Sequence, residues 1–79
     1  MDWREHIEQD PEVMLGKPVI KGTRLTVELI LEKLGDGWPA EDLLRAYPDL
    51  KPAHIQATLA YCASYLAMDA SIFEPAETE

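Results

Sequence analysis

The chain has 79 residues, of which 47% are hydrophobic, and its formal net charge is −8. This length allows one domain, the apolar fraction excludes a fully disordered chain, and the single cysteine excludes an internal disulfide. Because so short a domain is marginally stable alone, we expect self-association to stabilise it.

Residues 1–25 are predicted to form a short β-hairpin or an extended arm. Pro18 belongs to a turn, the β-branched pair Val19-Ile20 favours a strand, and Gly22 ends that strand. The chain therefore begins with an element of β character, ahead of a helical body.

Residues 26–68 are predicted to form three helices. The first begins at Thr26, whose hydroxyl can cap the helix, and its apolar residues form one stripe that ends at a pair of glycines. The second helix covers about residues 39–46 and the third about residues 52–68, with a turn between them. The predicted fold is mainly α, with a short N-terminal β-hairpin or arm and a three-helix, helix-turn-helix-like body.

The third helix carries apolar residues on two sides, which is typical of a helix buried on more than one face. The stripe expected to face the core consists of Ile55, Leu59, Cys62 and Leu66. The second stripe consists of Tyr61, Tyr65 and Met68. Few intramolecular partners remain for the second stripe, so we infer a homodimer seam or a partner-binding face there. An equally favoured alternative is that the N-terminal arm covers it.

Residues 69–79 contain four acidic residues and no basic one, and we expect a flexible acidic tail there. The pair Ile72-Phe73 is the exception, because it could anchor in a partner's groove or pack on its own domain. The expected division is thus one domain over residues 1–68, followed by the tail.

The most distinctive stretch is residues 16–24, with its basic side chains and its turn-forming residues. Residues 15–26 carry a net charge of +3, whereas the rest of the chain totals −11. The basic residues are Lys17, Lys21 and Arg24. The turn-forming residues are Gly16, Pro18 and Gly22. One interpretation is a rigid ribbon that presents three cations to DNA or to a protein partner. The other is an ordinary tight hairpin whose cations protect an edge strand from aggregation.

The start of the third helix is the candidate DNA contact, since a recognition helix enters the major groove with its N-terminus first. Lys51 and Gln56 lie there, and Gln56 could read an adenine edge. Lys51 is the only basic residue at this end, however, and Asp49 lies close beside it. A purely structural helix pair is therefore at least as well supported as a DNA reader.

No constellation typical of catalysis is present in the sequence. Proline follows Gly16-Lys17, which excludes a phosphate-binding P-loop, and His6, His54 and Cys62 match no zinc-ligand spacing. We expect both histidines to be solvated and Cys62 to be a small core residue. The sequence therefore predicts no enzyme activity, no metal and no cofactor.

No apolar run approaches the roughly 20 residues needed to cross a bilayer. The N-terminal residues are polar and lack the hydrophobic core of a signal peptide. We therefore expect a cytoplasmic protein that makes no membrane contact.

The basic stretch also carries a family resemblance. Its residues are Gly16-Lys17-Pro18-Val19-Ile20-Lys21-Gly22-Thr23-Arg24, preceded by Asp10-Pro11-Glu12-Val13. At this spacing the run resembles the signature of domain of unknown function 433, a family of small bacterial and archaeal proteins. The resemblance continues through Gly37-Trp38 and the 47–50 turn, and it covers nearly everything from Ile7 to Leu66.

The resemblance implies a function that composition does not. Members are similar to antitoxins of type II toxin–antitoxin pairs, of the VapB type, and are expected to form homodimers. They are often encoded beside a nuclease toxin with a PIN-like fold, which implies such a toxin as the partner. The alternatives are a helix-turn-helix DNA-binding autorepressor acting on its own operator, or a structural dimer module with no nucleic-acid role.

The chain departs from the family pattern at the start of two helices. Pro39-Ala40 stand where Ser-Pro usually opens the second helix, and Lys51-Pro52 stand where Thr-Pro usually opens the third. Each change removes a capping hydroxyl worth about 1 kcal/mol.

Overall fold

The computed structural model describes residues 1–68, so the predictions for residues 69–79 lie outside the part described. Two short strands are followed by three helices. These elements are β1 (Ile7–Glu8), β2 (Val19–Ile20), α1 (Val27–Gly35), α2 (Ala40–Ala46) and α3 (Pro52–Met68). Short 3-10 turns occupy Trp3–Glu5 and Met14–Gly16. The predicted class, mainly α with an N-terminal β element and three helices, is confirmed.

The two strands are antiparallel, with Ile7 opposite Ile20 and Glu8 opposite Val19. They are not joined by a tight turn, because residues 9–18 lie between them and include the second 3-10 turn. The tight turn follows β2 instead, where the Thr23 N–H donates to the Ile20 carbonyl at 3.0 Å. The arm therefore consists of two antiparallel strands joined by a long loop, residues 9–18, and is not a tight hairpin.

Strand β2 has hydrogen-bonding neighbours on both sides. On the side away from β1, the Ile20 N–H donates to the Leu25 carbonyl and the Val27 N–H donates to the Pro18 carbonyl, both at 2.9 Å. Val19 and Ile20 are both fully buried, and Ile20 packs in the hydrophobic core. Within residues 1–68 the sheet has two strands, and β2 gains an isolated bridge between Val19 and Thr26 on its other side.

Helix α1 begins as the sequence predicts. The Thr26 hydroxyl accepts a hydrogen bond from the Leu29 N–H at 3.0 Å, which satisfies one of the free donors of the first turn. The chain leaves the helix through Gly37 at a φ of 94°, a left-handed conformation that glycine tolerates. The predicted cap and stop of this helix are both confirmed.

The hydrophobic core draws on both strands, all three helices and the turn before α3. Its buried apolar residues are Ile7, Val19, Ile20, Val27, Ile30, Leu43, Leu50, Ile55 and Ala57. Helix α3 contributes to this core only through its first half. No helix among residues 1–68 is long and apolar enough to cross a membrane.

The predicted core stripe of α3 is wrong beyond Ile55, because Leu59 and Leu66 are each 52% exposed and Cys62 is only half-buried. Leu59 lies to one side of the buried face, which follows Ile55, Thr58 and Tyr61. For Leu66, nearer the end of the helix, the reason is length. Helices α1 and α2 have 9 and 7 residues, whereas α3 has 17. At 1.5 Å per residue they span about 14 and 10 Å against about 25 Å for α3. The shorter helices therefore cannot cover the whole of the longer one.

Candidate partner-binding surfaces

The first candidate surface is the basic segment, residues Gly16–Arg24. Gly16 and Gly22 have φ values of 83° and 78°, where a side chain would be strained. Thr23 fixes the turn, since its hydroxyl donates to the Ile20 carbonyl at 2.8 Å and accepts from the Leu25 N–H at 3.0 Å. The glycines and the threonine of the signature are thus explained by backbone geometry.

The three cations of the basic segment are not equivalent. The Lys17 ammonium lies 2.9 Å from a Glu28 carboxylate oxygen, in an exposed pair of the kind worth about 0–1 kcal/mol. Lys21 and Arg24 make no ion pair with any residue between 1 and 68. The charge available to a partner is therefore carried mainly by Lys21 and Arg24.

The structure brings two of these cations to one groove. Lys17 and Arg24 line a groove of about 320 Å³, which Lys21 does not line. The other residues of this groove are Met14, Thr26, Glu28, Leu29 and Glu32. The groove thus combines apolar side chains with charges of both signs, so it differs from the uniformly basic ribbon that the sequence suggested.

A strained turn precedes the basic segment and was not predicted. Met14, Leu15 and Gly16 all have left-handed backbones, with φ values of 50°, 60° and 83°. The Leu15 side chain is 93% exposed. Leucine is not a residue that favours this conformation, so of the three residues only Gly16 was predicted to be turn-forming.

The second candidate surface is the apolar end of α3, residues 59–68. No Asp, Glu, Lys or Arg occurs in α3, from Pro52 to Met68. The large side chains exposed at this end are Leu59, Tyr65, Leu66 and Met68. A hollow of about 390 Å³ is lined there by Tyr61, Cys62, Tyr65 and Leu66.

The arm covers only part of this surface. The Trp3 ring packs edge-on against Tyr61 at 4.7 Å between centroids, and Tyr61 in turn contacts Tyr65 at 4.8 Å. Burial, with the adjacent Tyr65 hydroxyl, raises the pKa of Tyr61 to about 12, and burial also raises the pKa of Cys62. Tyr65 and Met68 stay 48% and 78% exposed, so these two residues of the second stripe remain accessible, whereas Tyr61 is partly covered by the arm.

The two histidines are not solvated surface residues as expected. Both are half-buried, and their rings lie 5.6 Å apart between β1 and α3. The His54 Nδ1 accepts a hydrogen bond from the Lys51 N–H at 3.0 Å, so the histidine side chain reaches back to the residue before α3, as the second partner of a capping box does. Burial, with His6 and then Lys51 nearby, lowers the pKa of His54.

The start of α3 has two residues that could contact DNA. Lys51 and Gln56 are both exposed there, as a contact role requires. His54 already accepts the Lys51 N–H, and Asp49 is exposed two residues before Lys51.

Among residues 1–68, no group of three or more histidine, cysteine or acidic side chains could hold a metal ion.

Comparison with known proteins places this arrangement in a family. The family model described as "Protein of unknown function (DUF433)" matches residues 7–62, from the start of β1 into the second half of α3. No curated protein and no solved structure matches the chain. Since the family model covers well over half of the residues, the chain belongs to the DUF433 family of proteins of unknown function.

Proposed function

We propose that this protein is a non-enzymatic interaction module that works as the antitoxin-like member of a type II toxin–antitoxin pair. In this proposal it forms a homodimer and binds and restrains a PIN-like nuclease. The observation that carries the proposal is the exposed, uncharged apolar end of α3. Nothing in a fold of this size requires four large apolar side chains to face water, whereas an interface does.

A second copy of the chain is the occupant that fits the apolar end of α3. Two molecules of charge −8 repel each other, so they associate best where neither carries charge. Helix α3 provides such a face, and burying one large apolar side chain contributes about 1.5–3 kcal/mol. Tyr65, Leu66 and Met68 form the middle of the proposed seam.

The restraint of a nuclease is supported by the family resemblance and by the charge distribution. A nuclease site built from carboxylates and metal repels an acidic segment, so the acidic end of this chain is a poor plug. Arg24 and Lys21 are better suited, because neither is neutralised by another residue between 1 and 68.

Co-expression with any PIN-like nuclease that is encoded beside this gene tests the proposal. We expect the protein to restore growth and to co-purify with the nuclease. Tyr65→Asp should separate the dimer, while Ala40→Asp adds the same charge at an exposed position of α2 and should leave it intact. The absence of a neighbouring nuclease, or of any rescue of growth, would sink the proposal.

The second candidate is a DNA-binding autorepressor, which is favoured by the exposure of Lys51 and Gln56 at the start of α3. A gel shift on the gene's own promoter at ~0.1 M salt decides between the two, because phosphate contacts weaken as salt increases. A shift that is lost in Lys21→Ala and Arg24→Ala would favour the autorepressor. If the protein neither shifts its promoter DNA nor binds a nuclease, the remaining interpretation is a structural dimer module.

A further inference from the structure

The hollow at the apolar end of α3 lies between two rows of side chains. Tyr61 and Tyr65 form one row, and Cys62 and Leu66 form the other. The two members of each row are four residues apart, so they are neighbours along the same face of the helix. The hollow is therefore the groove between two i±4 rows, the kind of groove that a row of side chains on another helix fills.

One wall of this groove is already fixed in the single chain. The Trp3 ring of the arm packs edge-on against Tyr61, at 4.7 Å between centroids, and Tyr61 contacts Tyr65 at 4.8 Å. The tyrosine row therefore loses little freedom when a partner binds, which reduces the entropic cost of binding. The other wall is uneven, because the small side chain of Cys62 precedes the large and 52% exposed side chain of Leu66.

Helix α3 itself carries a row that this groove can accept. When the i±4 rows of two helices interdigitate, the helices cross at about −50°. If two α3 helices are related by a two-fold axis, the row of Cys62 and Leu66 on each copy lies in the groove of the other. The large Leu66 side chain of each copy then lies over the small Cys62 side chain of its partner, and symmetry makes the two contacts identical.

We propose that the hollow binds Leu66 of a second copy of the chain, and that α3 packs crosswise on α3 in the homodimer. This packing rests on the homodimer of the proposed function and adds the contact that holds it together. Charge supports a second copy as the occupant. Each chain carries a net charge of −8, but α3 has no Asp, Glu, Lys or Arg from Pro52 to Met68, so two copies approach there with the least repulsion.

A helix of another protein is the competing occupant. Such a helix would need a row that fits the groove, and it would also need a groove of its own for the exposed Leu66. A second copy meets both needs with one sequence. Substitutions separate the two occupants, because only a second copy couples residue 62 of one chain to residue 66 of the other in the dimer.

Sedimentation equilibrium of matched variants tests this packing. Leu66→Ala removes the side chain that enters the hollow and should raise the dissociation constant of the dimer about tenfold or more. Cys62→Leu fills the hollow from within and should raise the constant to a similar extent. The double variant, Cys62→Leu with Leu66→Cys, exchanges the large and small side chains and should return the constant to within about threefold of the wild type.

The control is Leu15→Ala, which shortens an exposed leucine outside α3 and should change the constant less than about twofold. A tighter dimer in Cys62→Leu would overturn the packing, because a merely apolar contact gains from added apolar surface. A double variant that is folded by circular dichroism and dimerises no better than Cys62→Leu would overturn it as well.

A measurement on the wild type needs no substitution. Cys62 is the single cysteine, so the rate at which N-ethylmaleimide modifies the protein's thiol reports on the hollow alone. We expect the thiol to react about tenfold or more slowly in the dimer than in the dilute monomer. A dimer whose thiol reacts as fast as that of the monomer would overturn the packing and leave the homodimer standing. A wild-type protein that is monomeric at every concentration would overturn both.

Discussion

The basic segment and the apolar end of α3 differ in what their residues do for the fold. In the basic segment, the glycines, Thr23 and the β2 residues are fixed by backbone geometry and burial, and Lys21 and Arg24 are the charged side chains that make no ion pair with residues 1–68. At the apolar end of α3 the backbone is a regular helix, and most of the large side chains are free. A distinctive sequence signature can thus report structure more than function, while a regular helix carries several of the exposed large apolar side chains.

The two surfaces should also respond differently to salt. A contact made through Lys21 and Arg24 is electrostatic and weakens as ionic strength increases. A contact made through the apolar end of α3 involves no charged side chain of that helix, so salt should change it little. This difference allows each surface to be tested separately.

The largest loss of stability should come from truncating the buried apolar side chain of the basic segment. Ile20 is fully buried in β2, so we expect Ile20→Ala to lower the free energy of unfolding by about 2–5 kcal/mol. Tyr65→Ala, at a half-exposed position, should lower the free energy of unfolding of the monomer much less. Urea denaturation of both variants measures the comparison. Equal losses would contradict the structural role assigned to the signature.

The glycines should show the next largest effect. Gly22→Ala places a side chain at φ 78°, and we expect a loss of about 1–2 kcal/mol. Gly35→Ala is the matched control, because Gly35 ends α1 at an ordinary φ and a Cβ there would meet nothing within 4 Å. If Gly22→Ala melts at the wild-type temperature, the turn is not strained and the signature glycine needs another explanation.

Local signals explain which parts of the fold could be predicted from sequence. The cap at Thr26, the stop near Gly37 and the start of α3 at Pro52 depend on residues within one helical turn, and all three predictions are confirmed. The family was also identified correctly, because the 16–24 run is specific at its spacing.

Non-local geometry explains what was missed. Periodicity gives neither which of two apolar stripes of a helix faces the core nor how far the neighbouring helices reach, so Leu59 and Leu66 were wrongly assigned to the core. The partial burial of His6 and His54 against each other required knowing that the N-terminal arm packs on α3. The left-handed turn at Leu15 opposes the residue's own preference, so no propensity could have indicated it.

A smaller change in stability is expected at Thr58, in the first half of α3. The Thr58 hydroxyl is fully buried and has no hydrogen-bond partner among residues 1–68. Replacing it by a methyl group in Thr58→Val removes an unsatisfied polar atom, and we expect a gain of about 1 kcal/mol. Thermal denaturation measures this gain, and a loss of stability would mean that the hydroxyl is hydrogen-bonded after all.

The smallest effect should be the pH dependence that His54 confers. Its pKa is lowered in the folded state, first by burial and then by His6 and Lys51, so the unfolded chain binds the proton more readily. Stability should therefore be fully present above pH 6.5 and decline as the pH falls below that value. Urea titrations between about pH 8 and pH 5 measure the decline. His6→Gln should reduce it, and a rise in stability on acidification would contradict the sign.

Sedimentation equilibrium of the wild type and Tyr65→Asp, at about 0.05 and 0.5 M salt, tests the central comparison most directly. We expect a wild-type dimer at both salt concentrations, a folded Tyr65→Asp monomer, and an Ala40→Asp dimer as the control. A wild-type monomer, or a Tyr65→Asp protein that remains dimeric, would show that the apolar end of α3 is not the seam.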